Sequence, residues 1–314
     1  MNKEADTMMK LGLKDIARVI RAVGTDQLAR VAPKFYLKLT RQTGRGAAEE
    51  TPASVADYYR RCFAEYLLVL GIQEQDALAY FQGKRILEYG PGDMPGMALL
   101  FHAHGAEQVI CVDRFPMVNR SDKNRRVLET LRDGLTGEPQ RRAAAWLAMW
   151  GRDSNGSAAS EPIRYLVTES GLSSLRHTVD LVVSRAVLEH VNDLSATFAD
   201  MRRALRDDGM AVHQVDLKSH GLHQRNPLDF LTWSPWLWSL MYGHKGVPNR
   251  WRVDKYRALV SEHGFDLLKL EATLRAEPRD IADVRPHLAA PFRHLADEDL
   301  AWLGFWLVAR KRDH

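Results

Sequence analysis

Cysteine is scarce in this chain: Cys62 and Cys111 are its two examples in 314 residues. So small a number points to neither a disulfide framework nor a cysteine-based zinc site. Cys111 lies inside the apolar run "QVICVD" and reads as a buried thiol. Long hydrophobic runs are missing too, and none approaches the roughly 18 residues that a membrane-spanning helix needs. The opening "MNKEADTMMKLGLKDIARVI" carries charges throughout and lacks the apolar centre of a signal peptide, so a cytoplasmic protein is expected. Nor does one sign of charge dominate. Lys+Arg number 44 against 40 Asp+Glu, a net charge of +4. Scattered charge of that size allows an acidic substrate or a membrane surface, and it demands no nucleic acid. Hydrophobic residues make up 45% of the chain, enough for a sizeable core and too many for a disordered one.

Within residues 8–40, Met9, Leu11, Leu13, Ile16, Val19 and Ile20 fall at helical spacing. The basic, aromatic run "RVAPKFYLKLTRQTGRG" follows. The segment reads as a helix packed on the next domain. Its alternative reading is a peripheral membrane contact through residues 8–45. Thr51 and Pro52 open a second helix that runs to about residue 72. Residues 1–83 therefore read as an N-terminal helical extension.

From residue 84 onward, short apolar strands alternate with longer helical stretches. Strands are expected at 85–90, 108–113, 163–168, 179–185, 210–217, 265–276 and 304–312. Helices are expected at 96–105, over the polar stretch to about 134, and at 194–209 and 254–264. Such alternation specifies an α/β fold: a doubly wound, mostly parallel seven-stranded sheet spanning residues 84–314. Ligands of such sheets bind at the carboxyl ends of the strands. Glu88 to Gly92, Asp113, Thr168 to Gly171, Ser184 to His190 and Asp216 to His220 should therefore share one cleft.

The first strand runs into a glycine turn, "RILEYGPGDMPG" at residues 85–96. The phosphate loop GxxxxGK[ST] has no match in the chain. A dinucleotide turn GxGxxG beginning at Gly90 and Gly92 would need its third glycine where Pro95 stands. A third reading is a turn that holds S-adenosylmethionine. Glu88 favours it, because a carboxylate repels a pyrophosphate and attracts a ligand that presents an ammonium group. Gly90 and Gly92 let the backbone come close to such a ligand. Asp113 ends the second strand, where an acid accepts hydrogen bonds from both hydroxyls of a ribose.

The series "LEYGPG… CVDRF… DLVVSRAVLEHV… LRDDGMAVHQVDL" resembles the class I S-adenosylmethionine-dependent methyltransferase family, close to its small-molecule and glycan branch. The resemblance spans about residues 84–217 and implies a Rossmann-like methyltransferase fold. It implies that Glu88, Gly90 and Gly92 hold the methionine end of the cofactor. Asp113 with Arg114 would then hold the ribose, and Glu169 of "VTESGL" would reach the adenine amine. Ser184 and Arg185 would face the cleft beside the methionine part. The family's ExGxGxG pattern is broken here, since Met94 occupies the third glycine position and Gly96 follows two residues later. The implied activity is methyl transfer to a small-molecule or glycan acceptor, at oxygen, with transfer to nitrogen as an alternative. No nucleic-acid partner is expected, because "SRAV" stands where the base-methylating enzymes carry [DNS]PP[FY]. A non-catalytic cofactor-binding module and a nicotinamide oxidoreductase are the readings from other classes.

Methyl transfer to a hydroxyl needs an in-line nucleophile and usually a base. The fifth strand and its exit, "HQVDLKSHGLHQRN", hold His213, Asp216, His220 and His223. Strand alternation puts His213 and Asp216 on opposite faces. His220 lies past the strand end and is the expected base, with Asp216 as its orienting partner or a second polar contact; His190 of the "LEH" turn is a further catalytic candidate. A metal held by His213, Asp216, His220 or His223 is the alternative. No metal is expected, since neighbouring loop histidines more often meet solvent or substrate. The aromatic-rich segment 218–252 reads as a lid in which His223, Trp233, Trp236, Tyr242 and Arg250 touch the acceptor. Its other reading is a satellite core beneath a long loop.

Overall fold

The computed structural model describes residues 13–32, 35–36, 50–150, 161–220, 222, 226–245 and 248–312, with backbone alone at residues 13–16 and 18. Seven strands form one sheet in the order β3-β2-β1-β4-β5-β7-β6. They are β1 (Arg85–Tyr89), β2 (Gln108–Asp113), β3 (Ile163–Val167), β4 (Val179–Arg185), β5 (Leu205–Asp216), β6 (Phe265–Arg275) and β7 (Trp302–Lys311). Strands β1 to β5 pair in parallel, and β7 lies antiparallel between β5 and β6. Strand order reverses direction at β1, which has β2 on one side and β4 on the other. That reversal opens a crevice at the carboxyl ends of these strands.

Among the described residues the α-helices are α1 (Leu13–Val31), α2 (Pro52–Leu70), α3 (Ala77–Phe81), α4 (Gly96–Ala103), α5 (Asp122–Asp133), α6 (Gly137–Met149), α7 (Leu194–Ala204), α8 (Pro235–Tyr242), α9 (Val253–Glu262), α10 (Pro278–Val284) and α11 (Asp297–Ala301). Among the described residues none is long and apolar enough to cross a membrane. Strands β1, β2 and β4 are buried on both faces, as a parallel sheet between helices requires, while the edge strand β6 is largely exposed. Ile86 and Val109 join the core under α2, α4, α5 and α6. Leu87 and Ile110 point to the opposite core, beneath α7 and α9.

Helix α2 belongs to the first of these cores. Its Thr51 cap accepts from the Ser54 amide, Pro52 opens it, and Gly71 closes it in the left-handed conformation at φ 73°. Between those ends Val55, Tyr59, Cys62, Phe63 and Tyr66 are buried with Ile86, Phe101 and Val109.

The chain departs from the sequence-based expectation in three places. Residues 137–149, to which no element was assigned from the sequence, form α6, with Ala143 and Trp146 turned into the core. Helix α7 stops at Ala204, and β5 begins at Leu205, paired with Val179. The intervening "RDDG" bulges out through Asp208 at φ 59°. Segment 218–252 does not stand apart as a lid. Phe230, Trp233, Trp238 and Tyr242 are buried with Ile281, Leu288, Phe292 and Leu300 in a third core. Helix α1 joins that core through Ala22. Its buried Asp26 also accepts from the His244 amide (2.9 Å) and from His244 Nδ1 (2.8 Å). The satellite-core reading thus describes this segment, and most of the segment proposed for membrane contact beyond residue 32 lies outside the described residues.

Candidate active site

The glycine turn leaves β1 with Gly90 at φ 62° and Gly92 at φ 76°, a region that residues with a Cβ rarely adopt. The Gly90 amide donates to Val112 O (2.8 Å), which ties the turn to β2. A Cβ on Gly90 would lie 2.5 Å from Val187 Cγ2. The turn is therefore packed directly against the segment that leaves β4. Gly96, at the start of α4, has Tyr59 ring atoms 2.6–2.7 Å from where its Cβ would be. The close helix packing that a third motif glycine would provide falls to Gly96, with the ring of α2 as its partner.

Glu88 is buried on the α2 side of the sheet, and its Oε2 accepts from Cys111 Sγ at 3.4 Å. Burial pushes its carboxyl up to about 7, with the Cys111 bond working weakly against that rise. A buried acid with so few donors suits a ligand that brings its own cation. Asp113 is half-buried at the end of β2, and burial raises its carboxyl as well. Its Oδ1 accepts from the Phe115 amide at 3.0 Å. A carboxylate can accept several more bonds than this.

Sequence reasoning missed the residues that hold the loop after β2. Asn124 of α5 donates from Nδ2 to Asp93 O (2.9 Å) and to Asn119 O (3.2 Å). Tyr165 of β3 donates to Phe115 O (2.7 Å) and accepts from the Met117 amide (3.0 Å). On the far side of β1, the buried carboxylate of Asp200 accepts from Tyr89 Oη and from the amides of Ser173 (2.6 Å) and Ser174 (3.1 Å). It anchors the loop that follows β3. None of these carries a motif; a polar residue on the inner face of a predicted helix was the only available signal. Glu169 sits exposed in the turn after β3, and Arg114 lies over the Phe115 ring, 4.6 Å from its centre.

Two cofactor assignments need correction. Ser184 does not face Glu88. Its hydroxyl is buried with His213, Oγ to Nδ1 2.7 Å, on the α7 side of the sheet. Burial drives the His213 imidazole down to about 3, so it stays neutral. Arg185 faces the α2 side but is held there by Glu65 at 2.7 Å, with Tyr58 and Trp306 rings near its guanidinium. Pleat alternation separates the two neighbours.

The other candidates gather past β4 and β5. Residues Leu188–His190 form a single helical turn, and Glu189 within it is 1% exposed. Its Oε1 lies 4.0 Å from His190 Nε2 and 3.9 Å from His220 Nε2. The two imidazoles meet edge to face with centres 4.9 Å apart. Glu189 Oε1 also accepts from the Asp216 amide (3.3 Å), and burial holds its carboxyl well above the usual range. Asp216 does not orient His220. Its Oδ1 accepts from the Lys218 amide (3.0 Å) and its Oδ2 pairs with Lys218 Nζ (3.0 Å). Glu189, which the sequence reading passed over, occupies that position instead.

The proposed acceptor contacts divide. His223 lies outside the described residues. Trp233 and Tyr242 are core residues, while Trp236 is 73% exposed. Arg250 is buried, donating to Phe230 O and Trp233 O, with its guanidinium 4.5 Å from the Trp238 ring centre. It braces the third core and is not available to an acidic acceptor.

A parallel sheet with this reversal, a left-handed glycine turn after β1, and acids ending β1 and β2 define an α/β enzyme domain for a nucleoside cofactor with a cationic end. The chain belongs to the class I S-adenosylmethionine-dependent methyltransferases: a family model described as a methyltransferase domain matches residues 56–270. S-adenosylmethionine is its cofactor, and Glu88, the two turn glycines and Asp113 fit that group. Among solved structures, an S-adenosylmethionine-dependent methyltransferase from Mesorhizobium loti is 20% identical, covering 76% of this chain and 97% of its own, with a TM-score of 0.41. Phosphoethanolamine N-methyltransferase 2 of Haemonchus contortus is 15% identical, covering 77% of this chain and 53% of its own, with a TM-score of 0.43. No curated protein matches the chain significantly.

Proposed function

We propose that this methyltransferase acts on a hydroxyl group of a small-molecule or glycan acceptor, with His220 as general base. The observation that carries this reading is the Glu189–His190–His220 cluster. It is joined to the cofactor turn through Val187, which touches Gly90 and stands two residues before Glu189.

When bound, the cofactor supplies a methyl group on a positively charged sulfur. Glu88 answers the cofactor's ammonium group, and Asp113 accepts from the ribose hydroxyls. His220 is the exposed member of the cluster, so it takes the proton that the acceptor hydroxyl loses. Glu189 lies 3.9 Å behind the ring, where the imidazolium that results would draw its buried carboxyl toward ionisation and be stabilised in return. Trp236 offers the exposed aromatic face on which an apolar or sugar-like acceptor would rest.

Two substitutions test the assignment separately. Asp113→Ala should weaken cofactor binding by about 1.5–3 kcal/mol, the worth of hydrogen bonds to a charged group. Calorimetric titration with S-adenosylmethionine measures it, and near-wild-type affinity would remove the ribose role. His220→Ala should leave that affinity intact while turnover falls roughly 100-fold or more, the usual share of a general base. The assay screens sugar, lipid, phenolic and amine acceptors. Unchanged turnover on an accepted hydroxyl would exclude His220 as base, and activity confined to amines would exclude the oxygen assignment.

A further inference from the structure

We infer that Glu189, His190 and His220 form a binding site for a first-row divalent metal ion of the Zn²⁺ or Co²⁺ type. Each residue offers one donor atom, and these donors lie within 4.8 Å of one another. A tetrahedral ion with bonds of about 2.0–2.1 Å needs its donors roughly 3.4 Å apart. The existing separations of 3.9 and 4.0 Å from Glu189 Oε1 to the two imidazole nitrogens fall just outside that value. With every donor pair within 4.8 Å, side-chain rotation has to draw the three groups inward for an ion to be held.

A second observation points the same way. Glu189 Oε2 is buried and has no hydrogen-bond partner among the described residues. A carboxyl group that is 1% exposed with one oxygen unanswered is costly to keep. A metal ion at the junction of the three side chains would answer it if the carboxylate binds through both oxygens, Oε1 toward the imidazoles and Oε2 completing the pair. The backbone around the trio is fixed by other bonds. The His190 amide donates to Val187 O (2.8 Å), and Glu189 O accepts from the Asn249 amide (2.6 Å). His220 is held at φ 51°, in the left-handed region. Two imidazoles with one carboxylate favour a borderline transition ion over Mg²⁺ or Ca²⁺, which prefer oxygen donors throughout. Three protein ligands leave coordination positions open, as in metal sites that also bind a substrate. This set differs from the His213, Asp216, His220 and His223 combination weighed from the sequence. His213 is locked to Ser184 and Asp216 to Lys218.

The site stands independently of the acceptor assignment. Its catalytic consequence builds on that assignment: in the ion-free protein His220 serves as the base, whereas an ion held by both imidazoles would take over activation of the acceptor hydroxyl.

The 314-residue protein is stripped with a chelator, dialysed and titrated with Co²⁺ and with Zn²⁺, following calorimetry and the visible cobalt spectrum. One saturable equivalent is expected, with His220→Ala and Glu189→Gln each weakening it at least tenfold. Titration of the same variants with S-adenosylmethionine shows whether they remain folded, and Asp113→Ala should lose cofactor affinity while retaining the metal. His220→Ala is the decisive variant, because its side chain is partly exposed and its removal leaves the core intact. Absence of saturable binding, or equal binding by wild type, His220→Ala and His190→Ala, overturns the site.

Discussion

Arg252→Ala should destabilise the protein by about 3–5 kcal/mol, the range for removing one partner from a buried, hydrogen-bonded charge. Arg252 is 2% exposed and is among the largest fully buried side chains of the described residues. Its guanidinium donates to Leu217 O (3.0 Å), Leu300 O (3.1 Å) and Trp302 O. Those carbonyls belong to the exit of β5, to α11 and to the start of β7. Alanine there leaves three buried acceptors without a donor, at about 1–3 kcal/mol each before relaxation. It also leaves a cavity the size of a long side chain. At about 2–4 °C per kcal/mol for a chain of this class, the melting temperature should fall by roughly 6–20 °C. Denaturant and thermal unfolding measure it. A shift below about 3 °C would mean that water replaces the guanidinium without loss and that Arg252 is not a structural centre.

The second large effect concerns Glu88 and is read through pH. Its carboxyl is raised from 4.5 to about 7 by burial. Below pH 4.5 the group is neutral in both folded and unfolded chains and costs nothing. Between pH 4.5 and 7 the unfolded chain has released its proton while the folded chain keeps it, so stability falls as pH rises. Above 7 the loss is complete and amounts to about 3 kcal/mol at 1.36 kcal/mol per pKa unit. Glu88→Gln should therefore match wild type near pH 4 and exceed it by roughly 2–3 kcal/mol at pH 8. Cofactor binding should behave in the opposite sense. An ammonium ligand needs the ionised carboxylate, so wild-type affinity for S-adenosylmethionine should climb between pH 6 and 8. The glutamine variant should bind more weakly and show no such climb. Unfolding and calorimetry at pH 5, 7 and 8 follow both. An unchanged pH slope in the variant would show that Glu88 does not meet the ammonium group.

The sheet was legible because a strand buried on both faces announces itself as a short apolar run, and because ligand positions follow strand ends. Glu88, Gly90, Gly92 and Asp113 were singled out by that rule, and the structure sets them at the ends of β1 and β2 and in the turn between β1 and α4. Ser184 and Asp216 show where the rule stops. Reaching a strand end does not decide which face a side chain takes, and the pleat turned Ser184 toward His213. Asp216 found a nearer partner in Lys218. Glu189 was overlooked because it stands beside a histidine in "LEH", and its inward turn is decided by the short helical turn and its burial. The elements between residues 276 and 301 were illegible for another reason. They are short and mixed in polarity, and only packing against Phe230 and Trp238 fixes them. The same packing consumed Arg250 and Tyr242, whose aromatic and basic character had suggested an acceptor surface.

The contact between Tyr59 and Gly96 has a practical corollary for dissection of the chain. A fragment beginning at residue 84 would retain every strand and every residue proposed to hold the cofactor. It would also lack the ring that fills the hollow at the start of α4, along with Phe63, Tyr66 and their neighbours on Ile86 and Phe101. Such a fragment would present a bare apolar face of the sheet to water. Helix α2, from the Thr51 cap onward, therefore travels with the sheet in any transplantable unit, and a unit that keeps the third core closed needs α1 as well.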